Sequence, residues 1–181
     1  MQVRSVEAIV GGWNQAGARY MIAEGLAVVA HGYLRFTADF DAILDLDEAN
    51  LKRALQVLEA QGYVPRAPVS IASFADAALR QSWAREKGMT VFSLWSSEHR
   101  TTEVDLFLEP PFDFGEVYKR AHVFEMARGE RAVFVPCEEL VEMKRRVRRV
   151  RDLEDVARLE AARAADADAA DAGAADADGE S

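Results

Sequence analysis

An α/β (α+β) fold is what the sequence predicts: a small mixed sheet flanked by helices, further helices towards the C-terminal end, and an acidic tail. Three observations predict it. Apolar residues recur at helical spacing over 3–15 and again over 51–58, apolar and acidic residues alternate with period two over 39–46, and Gly or Pro punctuates nearly every change of pattern. Half of the 181 residues are apolar, enough for one core, and no repeat is visible.

The elements follow in order. Val3, Val6, Ile9, Val10 and Trp13 share one face of a first helix, stopped at Gly17. Residues 20–23 read as a short strand, and a helix opens at Gly25 and covers 26–30. Phe40, Ala42 and Leu44 face one side of the next strand, with Asp39, Asp41 and Ile43 on the other. Asp47 and Glu48 cap a second amphipathic helix, whose inner face is Leu51, Ala54, Leu55 and Leu58 and which ends near Gly62. Residues 71–87 are helical in propensity up to Gly88. Residues 89–95 and 103–108 form a strand pair across the turn SSEHRT, closed by Pro110 and Pro111. A short helix over 114–120, two short strands over 123–126 and 132–135, a helix over 137–147 behind Pro136, and a last helix over 152–164 complete the order. Trp83 and Trp95 are expected in the core.

The net charge of −9 is uneven. Residues 161–181 carry −5 and no large apolar side chain, so they cannot build a core. They are expected to be a disordered tail or a frayed helix extension, leaving 1–160 as the folded domain. Against that acidity stands KRRVRRVR, Lys144 to Arg151, with six basic residues in eight. Packed like charges repel on a helix, which points to a polyanion nearby or to the acids that follow, Asp152, Glu154 and Asp155.

Several classes are excluded. No run approaches the roughly 20 apolar residues of a membrane span, and the first residues lack the pattern of a secretory signal. The single cysteine, Cys137, forbids an internal disulfide and has no visible activating partner. A cytoplasmic location is the expectation. His31, His99 and His122 lie far apart with no Cys pair or HExxH, against zinc, and no Walker A or GxSxG motif occurs. An EF-hand loop starting at Asp39 fails at Ile43 and Leu44.

What remains is Asp39 and Asp41. Residues two apart in a strand point to one side, about 6.6–7 Å apart at Cα. Carboxylates on that pitch can share a divalent ion, and paired Mg²⁺ ions are the standard clamp for phosphoryl and nucleotidyl transfer. Asp105, alone between Val104 and Leu106 in a later strand, supplies a third carboxylate. The other reading is a plain solvated strand face, a trend that Asp45 and Asp47 continue.

The run YMIAEGLAVVAHGYLRFTADFDAIL, with Gly25-Leu26-Ala27, His31-Gly32 and Arg35-Phe36-Thr37-Ala38-Asp39-Phe40-Asp41, resembles the signature of the DNA polymerase β-like nucleotidyltransferase superfamily. It is most similar to the small bacterial nucleotidyltransferases related to abortive-infection toxins of toxin–antitoxin pairs. The likeness continues through WAREKGMTVFSLW, EVDLF, ELVEMKR and RVRDLEDVARLE, about residues 17–160. The resemblance implies an enzyme that moves a nucleoside monophosphate from an NTP to a hydroxyl on RNA, such as tRNA, or on a protein, with two Mg²⁺ ions and a cognate antitoxin as partner. It implies that Asp39, Asp41 and Asp105 hold metal and carry catalysis, Asp105 helping to deprotonate the attacking hydroxyl. Gly25 would let the backbone approach the phosphates. Arg35, Thr37, Lys144, Arg148, Arg151 and Asp152 would serve the nucleotide, as the cations at this end neutralise phosphate charge. His31 reads either as orienting a phosphate or base, or as a packed helix-end side chain. One departure stands out: Glu24 replaces the first glycine of the usual Gly-Gly pair. That substitution opens the alternative of a catalytically silent, nucleotidyltransferase-like binding module.

Overall fold

The computed structural model describes residues 1–33, 35–126 and 129–177, with side chains through residue 164. Helix α1 (Val3–Gln15) buries Val6, Ile9, Val10 and Trp13. Trp13 Nε1 donates to the Ala54 carbonyl at 3.0 Å, so the largest apolar side chain of α1 also pins it to α3 (Glu48–Ala60). Strand β1 (Tyr20–Ile22) leads into α2 (Glu24–Ala30), and β2 (Asp39–Leu44) leads into α3. Asp47 caps α3 by accepting from Asn50 N at 3.1 Å. Asn50 is itself buried, and it bonds both Arg19 N and Arg19 O, tying the cap to the entry of β1.

Strand β3 (Tyr63–Pro65) follows, then a 3-10 turn (Ile71–Ala75), α4 (Ala77–Lys87), β4 (Val91–Ser96) and β5 (Glu103–Phe107). Next come α5 (Phe114–Tyr118), β6 (His122–Glu125), β7 (Arg131–Phe134), α6 (Cys137–Val147) and α7 (Val150–Ala177). The fold is therefore α+β, and its strands join in one mixed sheet in the order β3-β4-β5-β2-β1-β7-β6. The pairs β2·β5 and β1·β7 are parallel, and the rest are antiparallel. Central position explains why β2 is buried on both faces beyond Asp41, with Ala42, Ile43 and Leu44 all at 1% exposure or less. Among the described residues no helix is long and apolar enough to cross a membrane.

Three expectations change. The single helix over 71–87 is two pieces, because the Asp76 carboxylate accepts from Ala78 N and Leu79 N and so starts a new helix where propensity alone would continue one. Strand β3 is an element that the sequence patterning did not signal, and at three residues it is too short to show alternation. Its Pro65 fits the sheet edge where β3 lies. Trp83 is in the core, but Trp95 is 43% exposed, since Phe92, Leu94 and Ser96 take the inward positions of β4. In the Ala/Asp-rich segment the backbone continues α7 as far as Ala177. Every side chain of α7 shown as buried, Asp152, Asp155, Val156 and Leu159, precedes that segment.

Candidate active site

Parallel pairing of β2 with β5 sets the register Asp39↔Glu103 and Asp41↔Asp105. Partners directly opposite in a ladder share a face, so Asp39, Asp41 and Asp105 stand on one side of two adjacent central strands. Glu103, facing Asp39, is engaged by the Arg66 guanidinium. Ser93 lies opposite Asp105 on the other flank and hydrogen-bonds its carboxylate.

Burial, and then crowding by like charges, makes Asp41 and Asp105 hard to ionise. Asp41 is pushed up to about 8, first by burial and then by the like charges of Glu24, Asp105 and Asp39, with Lys144 opposing. Burial also raises Asp105, partly offset by Ser93. Asp105 Oδ1 is buried without a hydrogen-bond partner. An oxygen-only donor set short of positive charge, with an orphaned buried oxygen, fits a hard divalent cation such as Mg²⁺. The three carboxylates share a face and a register without closing into a cage: among the described residues no group of three or more His, Cys, Asp or Glu stands ready to hold a metal.

The turn from β1 into α2 sits over this face. Ala23 N donates to Asp41 O at 2.9 Å and docks the start of α2 on β2. Gly25 is buried, and a Cβ there would lie 2.7 Å from Thr37 Cβ and 3.1 Å from Arg35 Nη2. Glycine is thus required for α2 to approach the loop that carries Arg35 and Thr37. Thr37 Oγ1 donates to Asp39 O at 3.4 Å, holding that loop against β2.

Lys144 of α6 is the centre of the charge network. Its side chain is fully buried, with Nζ 2.8 Å from Glu24 Oε2, 3.0 Å from Asp155 Oδ2 and 3.5 Å from Asp152 Oδ1. Burial works against its charge, but Glu24 and Asp155 outweigh it and hold the ammonium above its ordinary pKa. Asp155 also takes Arg35 Nη2 at 3.1 Å. Glu24 thus points inward to Lys144, from a left-handed backbone with φ 48° that a glycine would adopt freely.

The structure therefore gathers Asp39, Asp41 and Asp105 on one face, with Gly25, Thr37, Arg35, Lys144 and Asp152 packed at its border. Arg148 and Arg151 are exposed at the α6–α7 junction, where Arg148 Nε donates to Arg145 O at 3.1 Å and Arg151 donates to Phe36 O. Asp155, one of the acids expected to offset the basic run, is not among the predicted site residues, yet it joins the network through Lys144 and Arg35. Its signal was the helical spacing Asp152-x-x-Asp155, which places both acids on one face of α7. His31 packs at the end of α2, its Nε2 2.8 Å from Val135 O, and burial lowers its pKa. A cavity of about 350 Å³ lies there, lined by His31, Arg120, His122, Cys137, Glu138 and Arg163 among others, and none of the site aspartates reaches it. Its arginines are paired with Glu138 and Glu139, so it holds no surplus charge for an anion. Burial raises the Cys137 thiol, the opposite of an activated nucleophile.

Compared with models of known protein families and with curated proteins, the chain matches none.

Proposed function

We propose that this protein is a divalent-metal-dependent nucleotidyltransferase, moving a nucleoside monophosphate from an NTP to a hydroxyl on RNA or protein. The observation that carries the reading is the alignment of Asp41 with Asp105 across two parallel strands, with Asp39 on the same face. The sequence motif and the sheet register converge on one point from independent directions. Asp39, Asp41 and Asp105 would hold Mg²⁺, which supplies charge neutralisation for a bound triphosphate. Burial raises the affinity of Asp105 for a proton, which suits it to accept the one lost by the attacking hydroxyl. That hydroxyl oxygen bonds the α-phosphorus, the bond from the α-phosphorus to the β-phosphate oxygen breaks, and pyrophosphate leaves. The biological setting that the sequence resemblance implies is the toxin of a toxin–antitoxin pair.

The test is a transfer assay with Mg²⁺, each labelled NTP, bulk tRNA and cell lysate, run beside Asp41→Ala. Label on one polymer class that vanishes in the variant supports the enzyme. A second reading is supported by Glu24: its carboxylate, 2.8 Å from Lys144 Nζ, adds negative charge beside Asp41 where a triphosphate would have to approach. On this reading the domain binds without turnover. No label from wild type with any NTP, together with label from Glu24→Gly, would select it.

A further inference from the structure

Phe36 is 77% exposed, on the loop between α2 and β2. An aromatic ring this open gains nothing for the core, yet its backbone is firmly held. Arg151 donates to the Phe36 carbonyl, and the neighbouring Arg35 is pinned to Asp155 at 3.1 Å. The ring is thus displayed from an anchored loop, three residues before Asp39, or roughly 10 Å of extended chain.

The surface that reaches Phe36 through Arg151 is the turn between α6 and α7. Arg148 makes that turn in a left-handed conformation, φ 59°. Such a conformation is unfavourable for a non-glycine residue, and here it sits in the middle of a run of exposed arginines. Three of these guanidinium groups bond carbonyls: Arg146 to Pro111 O at 2.9 Å, Arg148 to Arg145 O, and Arg151 to Phe36 O. Neutral partners orient a guanidinium without cancelling its charge. Arg145, by contrast, is paired with Glu142 and Glu160. Between the arginines Val147 is 51% exposed, Val150 78% and Leu153 51%. In a chain of net charge −9, this is a local patch of the opposite sign with apolar surface interleaved.

We infer that this face binds single-stranded nucleic acid, with phosphates along Arg148, Arg149 and Arg151 and a base stacked on Phe36. Guanidinium groups with no carboxylate partner among the described residues suit phosphates, and a displayed ring suits an unpaired base. A duplex keeps its bases stacked internally and offers Phe36 nothing. The inference deepens the proposed function, on which it rests for one point only: the strand would be the acceptor, delivered past Phe36 towards Asp39 and Asp41.

The probe is a fluorescein-labelled 20-nucleotide oligouridylate, followed by anisotropy across a salt series. Wild type is expected to bind, with affinity falling steeply as salt rises. Phe36→Ala should weaken binding about tenfold, consistent with one lost stacking contact. Arg149→Ala should lower the log–log salt slope by about 0.7. Asp41→Asn should bind as wild type does. All these positions but Asp41 are exposed, so circular dichroism should show unchanged folds. Absence of salt-dependent binding by wild type overturns the inference, as does equal binding by Phe36→Ala. It also falls if anionic phosphatidylserine vesicles take the protein up and the oligonucleotide does not compete. Oligonucleotide binding with no nucleotide transfer to any acceptor would sink the proposed function and leave this surface standing. Transfer to protein with no oligonucleotide binding would do the reverse.

Discussion

At the scale of residues, Glu24 joins two unfavourable features, a left-handed backbone and a carboxylate that adds to the charge around Asp41. What it gains is the ion pair with buried Lys144. Glu24→Gly relieves the strain, worth about 1 kcal/mol, and loses that pair, while Asp155 and Asp152 still face the ammonium. Folding stability should therefore change little in urea denaturation, and the pKa of Asp41 should fall from about 8 in a carboxyl NMR titration, since a repelling neighbour is gone. Lys144→Met should behave very differently. It leaves Glu24 and Asp152 without their cation and Asp155 with only Arg35, and removing one partner of a buried pair costs about 3–5 kcal/mol. A loss below about 1 kcal/mol in the same denaturation would show that the network contributes no stability. Asp41 also has a pH signature. Its folded pKa lies above its unfolded value, so the native state binds the extra proton between about 4 and about 8. Its contribution favours folding most at the acid end and is lost as pH rises through that window. Asp41→Asn should stabilise the metal-free protein more at pH 8.5 than at pH 5, with melting temperature as the readout.

At the scale of elements, boundaries were set by side chains that compete with the backbone. The sequence signalled α1 and α3 because their apolar residues repeat with the helical period and their ends carry Gly17, Asp47 and Gly62, and it signalled α6 by Pro136 at its start. The break at Asp76 was hidden, because an aspartate inside a helical run looks like any exposed polar residue until its carboxylate is seen on Ala78 N and Leu79 N. Asp76→Ala should cost about 1 kcal/mol, measured by denaturation. An unchanged midpoint would mean that Ser70 to Lys87 holds its shape without the cap. Trp95 shows the matching difficulty in strands. Alternation tells which residues share a face, but only the helices and strands packed on β4 decided that the face of Phe92 and Leu94 is the inner one.

At the scale of the molecule, charge is divided between a body and its extension. Deleting residues 165–181 removes six acids and takes the net charge from −9 to −3. The residues of α7 that pack on the body, from Asp152 to Leu159, remain. The shortened chain should melt within a degree or two of the full one, since changes away from packed or bonded groups stay near 0.5 kcal/mol. A large drop in melting temperature would show that the extension packs on the domain. The same deletion should tighten oligonucleotide binding at low salt, because it removes long-range repulsion while the arginine turn is untouched.

The sequence by itself determined most of the elements and the strand that carries Asp39 and Asp41 on one face, because period acts between neighbours in the chain, whereas the need for glycine at position 25 comes from the close approach of Thr37 and Arg35. Tertiary structure alone decided the rest. The pairing of Asp41 with Asp105 is a register between strands more than 60 residues apart, fixed by the packing of a seven-stranded sheet. The fate of Lys144 was equally hidden, for its sequence context is a basic surface run and only the docking of α6 and α7 against α2 buries it among Glu24, Asp152 and Asp155. Burial and opposing charge are properties of the assembled fold, and they turned one basic residue of that run into an internal counter-ion while leaving its neighbours on the surface.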